Sequence, residues 1–233
     1  MRFTDILRES AKRVRRIAQP VAAVDLLRAQ PISRKFGLDR GTAIDRRYIE
    51  AFLSANRECI RGRAMEVAES KYVRMFGDDR VTAVEVLHAD RSNRHATLIG
   101  DLSVPSTLPE NWVDCFVCTQ TLNFIYDFHG AIRGLHRMLT AGGTALVTLA
   151  GVSQISRYDM DRWGDYWRFT TLSATRSFEA VFGPEIQVAS HGNVLAATAF
   201  LQGLAVQDLP DPSVLDEIDP DYQLIITVLA HKR

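Results

Sequence analysis

Apolar positions along the chain follow two rhythms, and the change between them marks out the architecture. Near the start, Phe3, Ile6, Leu7, Ala11, Val14 and Ile17 fall at helical spacing, with Arg2, Arg8, Lys12, Arg13, Arg15 and Arg16 off that stripe. Residues 19–40 hold Pro20, Pro31 and Gly37 around VAAVDLL, which reads as a connection with one further helix. From residue 43 to 60 the helical period returns through Ile44, Tyr48, Phe52 and Ile60. After Gly62 the pattern changes to short apolar runs between polar loops: RAMEVA, VTAVEVL, ATLIG, VDCFVCT, TALVTLA, IQVAS and YQLIITVLA.

Runs of that kind suit strands buried on both faces, as in a parallel sheet with helices outside. Seven strands, the last two late in the chain, predict a doubly wound α/β domain of Rossmann-like build whose final strand is antiparallel. Helices are expected around 171–182 and 194–206. Too little chain separates the first three strands for full crossover units, which take roughly 10–12 residues or more. The early helices must therefore be short or missing.

The 233 residues can bury a full core, and 46% apolar with 24% charged composition is that of an ordinary globular protein. No apolar run approaches the ~18 residues of a membrane span, and the start has no secretory pattern, so a cytoplasmic location is expected. Cys115 and Cys118 form a CxxC, but on a strand that spacing sends the side chains to opposite faces, which argues against a shared metal or redox pair. His88, His95, His129, His136, His191 and His231 show no metal-ligand spacing, and no metal is expected.

Charge is uneven along the chain. Residues 1–50 carry 12 Lys/Arg against 6 Asp/Glu, leaving 16 against 22 for the rest of a chain with 28 of each. Residues 1–43 thus read as a basic helical extension and 44–233 as the α/β domain. A basic amphipathic helix can meet an anionic membrane, nucleic acid or an acidic partner; the plainer reading packs its stripe on the domain or across a homo-oligomer. The helix lacks the aromatic groups of nucleic-acid binders, and no nucleic acid is expected.

Open parallel sheets bind ligands beyond the carboxyl ends of their strands, where strand order reverses. Acidic residues recur near three such ends: Glu66 in the first strand, Glu85 near the end of the second and Asp101 after the third. The interval from Glu66 to Glu85 is one at which a carboxylate takes ribose hydroxyls.

Four stretches resemble the class I S-adenosylmethionine-dependent methyltransferase family: GRAMEVAES, AVEVL, GDL with PENWVDCFVCTQTLNFIYD, and HRMLTAGGTALVTLAG. The resemblance covers about residues 44–233. It implies S-adenosylmethionine as cofactor and S-adenosylhomocysteine as product. It also implies Glu66, Ala68 and Glu69 in the first cofactor loop, Glu85 and Val86 at the ribose, Asp101 and Leu102 at the adenine, and Thr119, Gln120 and Thr121 beside the methionine moiety. The chain departs from the family at Ala68-Glu69-Ser70, where Gly-x-Gly is usual, and at Leu122-Asn123-Phe124, where a histidine is common. Glycine in that loop permits close backbone approach. Either a rerouted loop still binds the cofactor, or the domain has lost it.

Residues 153–170, SQISRYDMDRWGDYWRFT, form the most distinctive polar stretch. Arg157, Tyr158, Trp163, Tyr166, Trp167 and Arg168 offer faces and donors for an acceptor, and Asp159, Asp161 or Asp165 is a candidate general base. An equally weighted reading makes the stretch a structural latch of Trp and Arg–Asp pairs. The expected activity is O-methylation of a small polyhydroxylated molecule such as a saccharide. The alternative is a catalytically silent module that binds a protein partner.

Overall fold

The computed structural model describes residues 3–22 and 28–233. Most of VAAVDLL lies outside the described residues. The chain divides into two compact units, one of residues 1–50, 152–154 and 191–224, the other of 51–151, 155–190 and 225–233. The unit built on the N-terminal segment thus extends past residue 43 and takes in the stretch 191–224.

The first unit holds α1 (Phe3–Ala18), the start of α2 (Ile44–Ala55) and α7 (Val194–Leu201). Arg40 is buried within it. The guanidinium donates to both carboxylate oxygens of Asp208, at 2.8 and 2.9 Å, and to the Gln19 carbonyl at 3.0 Å. A buried Arg is tolerated because those acceptors replace water around a planar fork of donors.

The second unit carries the sheet, with strand order β3-β2-β1-β4-β5-β7-β6. Its strands are β1 (Gly62–Val67), β2 (Val81–His88), β3 (Leu98–Ile99), β4 (Val113–Thr119), β5 (Leu139–Ala150), β6 (Ile186–His191) and β7 (Ile225–His231). β1 pairs in parallel with β2 and β4, and β4 with β5, whereas β7 runs antiparallel to β5. The apolar runs therefore became strands buried on both faces, with Phe116, Val117, Leu146, Val147 and Val228 fully enclosed.

The early helices are short, as the spacing required. The seven-residue α3 (Lys71–Gly77) and one 3-10 turn (Asp78–Arg80) separate β1 from β2, and a loop with no helix joins β2 to the two-residue β3. Asp127 caps α4 (Phe128–Met138) by accepting the Gly130 N–H at 2.8 Å, and Ala131, Ile132, Leu135 and Met138 face the core. Gly134 lets this helix lie against the Leu102 carbonyl, since a Cβ there would come within 2.2 Å of it. After the four-residue α5 (Arg157–Met160), α6 (Thr171–Phe182) starts from a Thr170–Ser173 capping box.

The Gly142-Gly143 pair interrupts the pairing of β5. It lies in a bulge inside β5: Leu139 pairs with Val113 and Thr144 with Cys115, so the residues between bow outward. Gly142 takes φ +76°, and the bulge is tied down by Gly142 N–H to the Lys232 carbonyl at 2.7 Å.

Candidate active site

Strand order reverses between β1 and β4, so a crevice is expected beyond their carboxyl ends. Two non-glycine residues stand there in left-handed conformation, Ala68 after β1 at φ +65° and Gln120 after β4 at φ +48°. An L-residue in that region costs roughly 1–2 kcal/mol, and such strain collects at functional turns. The Ala68 dihedrals are therefore those of the glycine it replaces, not ordinary ones.

The loop that follows is anchored from beneath. Glu66 is buried, and its Oε2 accepts the Tyr72 and Val73 N–H groups at 2.9 and 3.0 Å, tying the end of β1 to the first turn of α3. Burial pushes its carboxyl up to about 7, with the Glu69 charge adding to the rise and the two N–H donors opposing it. Ala68 and Glu69 are exposed. From the β2–β3 loop, Asn93 Nδ2 donates to the Ala68 carbonyl at 2.6 Å.

Glu85 is not at the edge. β2 continues to His88, leaving Glu85 at mid-strand opposite Met65. Its carboxylate lies 3.7 Å from Arg63 Nε, and that guanidinium stacks 4.9 Å from the Trp112 ring at the amino end of β4. Glu85 thus serves the opposite end of the sheet, because the strand outruns its acidic position by three residues. Val86 is buried and bonded to Thr97, and Leu102 is buried in the core, so neither is open to a ligand. Asp101 is exposed, with Oδ1 accepting the Ser103 N–H and hydroxyl at 2.8 and 2.7 Å.

His88 takes the edge position of β2. Its Nδ1 lies 3.3 Å from Asp90 Oδ1, and its ring meets Trp163 edge-on at 5.6 Å. Trp163 comes from the loop after β5, three strands away, a span of roughly 14 Å at ordinary strand spacing. The loop therefore crosses the carboxyl ends of β4 and β1. At β4, the Gln120 N–H donates to the Thr148 carbonyl at 2.9 Å, and the Thr121 hydroxyl to the Thr119 carbonyl at 3.0 Å, so these three polar residues form a tied cluster at the carboxyl end of β4.

The loop's carboxylates divide by environment. The Asp165 side chain is 1% exposed and takes both Arg168 nitrogens, at 2.6 and 2.9 Å, and the Ser156 N–H at 3.0 Å. Burial raises its pKa, but bonds from Arg168, the Ser156 backbone and the Asn123 side chain outweigh it and hold the carboxyl below the usual range. Asp165 and Arg168 are thus a latch, and Asp165 is not placed as a proton acceptor. Asp161 is exposed and pairs with Arg157 at 3.2 Å. Asp159 Oδ2 accepts the Ser156 hydroxyl, which caps α5, and its Oδ1 has no hydrogen bond among the described residues.

The aromatic residues divide too. Trp167 is structural: its Nε1 donates to the Ile125 and Tyr126 carbonyls, and its ring packs edge-on against Phe128. Tyr158, Trp163 and Tyr166 are exposed, together with Tyr126, which meets Tyr166 at 5.4 Å. Arg162 stacks on Tyr158 at 3.6 Å. Gly164, at φ +94°, lets the Tyr166 ring fold back over the chain; a Cβ there would come within 2.3 Å of the ring.

Asn123 is the residue that sequence reasoning passed over. Its carbonyl accepts the Tyr166 and Trp167 N–H groups at 2.8 and 3.3 Å, its side chain bonds Asp165, and its buried Oδ1 has no partner among the described residues. The only signal was its place in Leu122-Asn123-Phe124, four residues past the end of β4.

Residues 59–147 match the family model described as a methyltransferase domain. Among solved structures, the chain is similar to a SAM-dependent methyltransferase from Archaeoglobus fulgidus (6% identity, TM-score 0.53, covering 80% of this chain and 94% of that one). It is also similar to an S-adenosylmethionine-dependent methyltransferase from Mesorhizobium loti (13%, 0.51, 82% and 98%) and to the [4+2]-cyclase SpnF (16%, 0.52, 98% and 92%). No curated protein matches the chain in sequence. The methyltransferase-domain match covers residues 59–147 and lies on this strand order, and S-adenosylmethionine is the cofactor that such domains use. The residues present fit that cofactor. Ala68 keeps the left-handed turn that the missing glycine would supply, the exposed loop beside it is open to a ligand, and Asn123 holds an unpaired buried acceptor just past β4.

Proposed function

We propose that the protein transfers a methyl group from S-adenosylmethionine to a hydroxyl of a small polyhydroxylated acceptor, such as a saccharide. One observation carries this reading: exposed aromatic faces and charged donors lie on a latched loop whose Trp163 touches the edge of β2. Sugars bind through aromatic stacking on their apolar faces and hydrogen bonds to their hydroxyls.

When bound, the cofactor supplies an electrophilic methyl group, and the protein's task is alignment. The Ala68 turn and the Thr119-Gln120-Thr121 cluster hold the cofactor's path, and His88 with Asp90 replaces Glu85 at the ribose end. Tyr126, Tyr158 and Tyr166 with Arg157 receive the acceptor. Asp159, with one oxygen free of hydrogen bonds, takes the hydroxyl proton. Trp163 over His88 excludes water from the crevice.

The test is formation of S-adenosylhomocysteine with a panel of hydroxylated acceptors, followed by mass spectrometry of the acceptor. A gain of one methyl on a saccharide supports the reading; turnover only with amines or thiols refutes the acceptor class. A second reading, a catalytically silent module that binds a protein partner, draws on the Asn93 bond to Ala68, which ties the loop after β1 to the β2–β3 loop.

A further inference from the structure

Helix α1 is tied to the rest of its unit through its polar face. Successive residues of a helix turn by about 100°, which puts Lys12, Arg15 and Arg16 on one face and Leu7, Val14 and Ile17 on the other. The polar face is the one held. Arg15 pairs with Asp39, and Arg16 donates to the Arg40 carbonyl. The apolar face is in water, with Leu7, Val14 and Ile17 at 55%, 64% and 71% exposure. A surface helix of a globular protein ordinarily does the reverse, because burying the apolar stripe is what stabilises its docking.

We infer that α1 is an interfacial helix that seats its Leu7, Val14 and Ile17 face on an anionic lipid surface. Charge selects this occupant. The helix carries five cations against two carboxylates and stays net positive after Asp39 pairs with Arg15, so an anionic surface attracts it, whereas a second copy would bring two positively charged helices together. A self-paired seam would also be short and would hold Ser10 between Leu7 and Val14, a weak start for a coiled coil. Sixteen residues are too few to cross a bilayer, which takes about 20, so the helix lies on the surface. Arg13, flanking the stripe and without an ion pair among the described residues, is placed to reach headgroups.

The test uses the full chain in co-sedimentation with vesicles of phosphatidylglycerol mixed with phosphatidylcholine, against phosphatidylcholine alone. Binding is expected only to the anionic vesicles. It should fall about fivefold in Arg13→Gln and about tenfold or more when Leu7, Val14 and Ile17 are each replaced by Glu. These side chains are exposed, so thermal unfolding of the variants should match the parent; if the triple variant is misfolded, Arg13→Gln decides. Absence of binding to anionic vesicles, equal binding to neutral ones, or unchanged binding of Arg13→Gln overturns the inference. So does light scattering that shows a dimer in the parent and a monomer in the folded triple variant, with no vesicle binding by either.

Discussion

Asp165 and Arg168 form a two-pronged ion pair, at 2.6 and 2.9 Å, on a carboxylate that is sealed from solvent. Because Ser156 N–H and Asn123 also reach that carboxylate, one buried group ties the loop after β5 to the turn after β4. Asp165→Ala should therefore cost on the order of 2–3 kcal/mol, since it strands the partners of a buried charge. Asp161→Ala, at an exposed pair, should stay within about 0.5 kcal/mol of the parent. Urea unfolding of both variants measures the difference, and equal effects would mean that the latch is not what holds the loop.

Glu66 makes stability depend on pH in a specific direction. Its folded pKa, about 7, lies above the ordinary 4.5, so between those values the folded chain keeps a proton that the unfolded chain has released. Its contribution to stability is full below the lower value and is lost as pH rises through the upper one, a change of roughly 3 kcal/mol. Glu66→Gln keeps an acceptor for the Tyr72 and Val73 N–H groups and has no charge to bury. The parent should lose stability from pH 5 to 8 relative to this variant; parallel pH profiles would show that the carboxylate is ionised throughout.

Ala68→Gly removes a left-handed strain at φ +65° while adding backbone freedom to the unfolded chain. Strain relief is the larger effect, so a gain of about 0.5–1 kcal/mol is expected, with cofactor affinity equal or tighter. Ala68→Val should do the opposite, because a branched Cβ is least tolerated there. A loss of stability in the glycine variant would show that the turn is relaxed.

Glu85 and His88 separate two accounts of the ribose end. Glu85→Ala should reduce stability by about 1 kcal/mol through the loss of Arg63 pairing, and leave S-adenosylhomocysteine affinity nearly unchanged. His88→Ala should weaken that affinity about tenfold, the loss of one hydrogen bond to the ligand. Calorimetry that finds the reverse order would return the ribose to Glu85.

The sheet was legible because its strands are apolar on both faces, a pattern that survives any detail of register. The shortness of the early helices followed from chain length alone. Register was harder: β2 runs three residues beyond its acid, which moved Glu85 from the edge to mid-strand and could not be read from the spacing between two carboxylates. The loop after β5 stood out by composition, yet composition could not separate sealed Asp165 and Trp167 from exposed Tyr158 and Tyr166. That sorting depends on Asn123, whose hydrogen bonds come from a segment distant in sequence. The inverted mounting of α1 was likewise invisible, since a helical wheel shows a stripe and not which side meets the protein.

Methyl transfer requires that the crevice beside Ala68 take the cofactor, and titration calorimetry of the full chain with S-adenosylhomocysteine asks that directly. Saturable one-to-one binding with a Kd on the order of micromolar is expected, weakened by His88→Ala and not by Glu85→Ala. No heat at millimolar ligand, with thermal unfolding showing the protein folded, would contradict it.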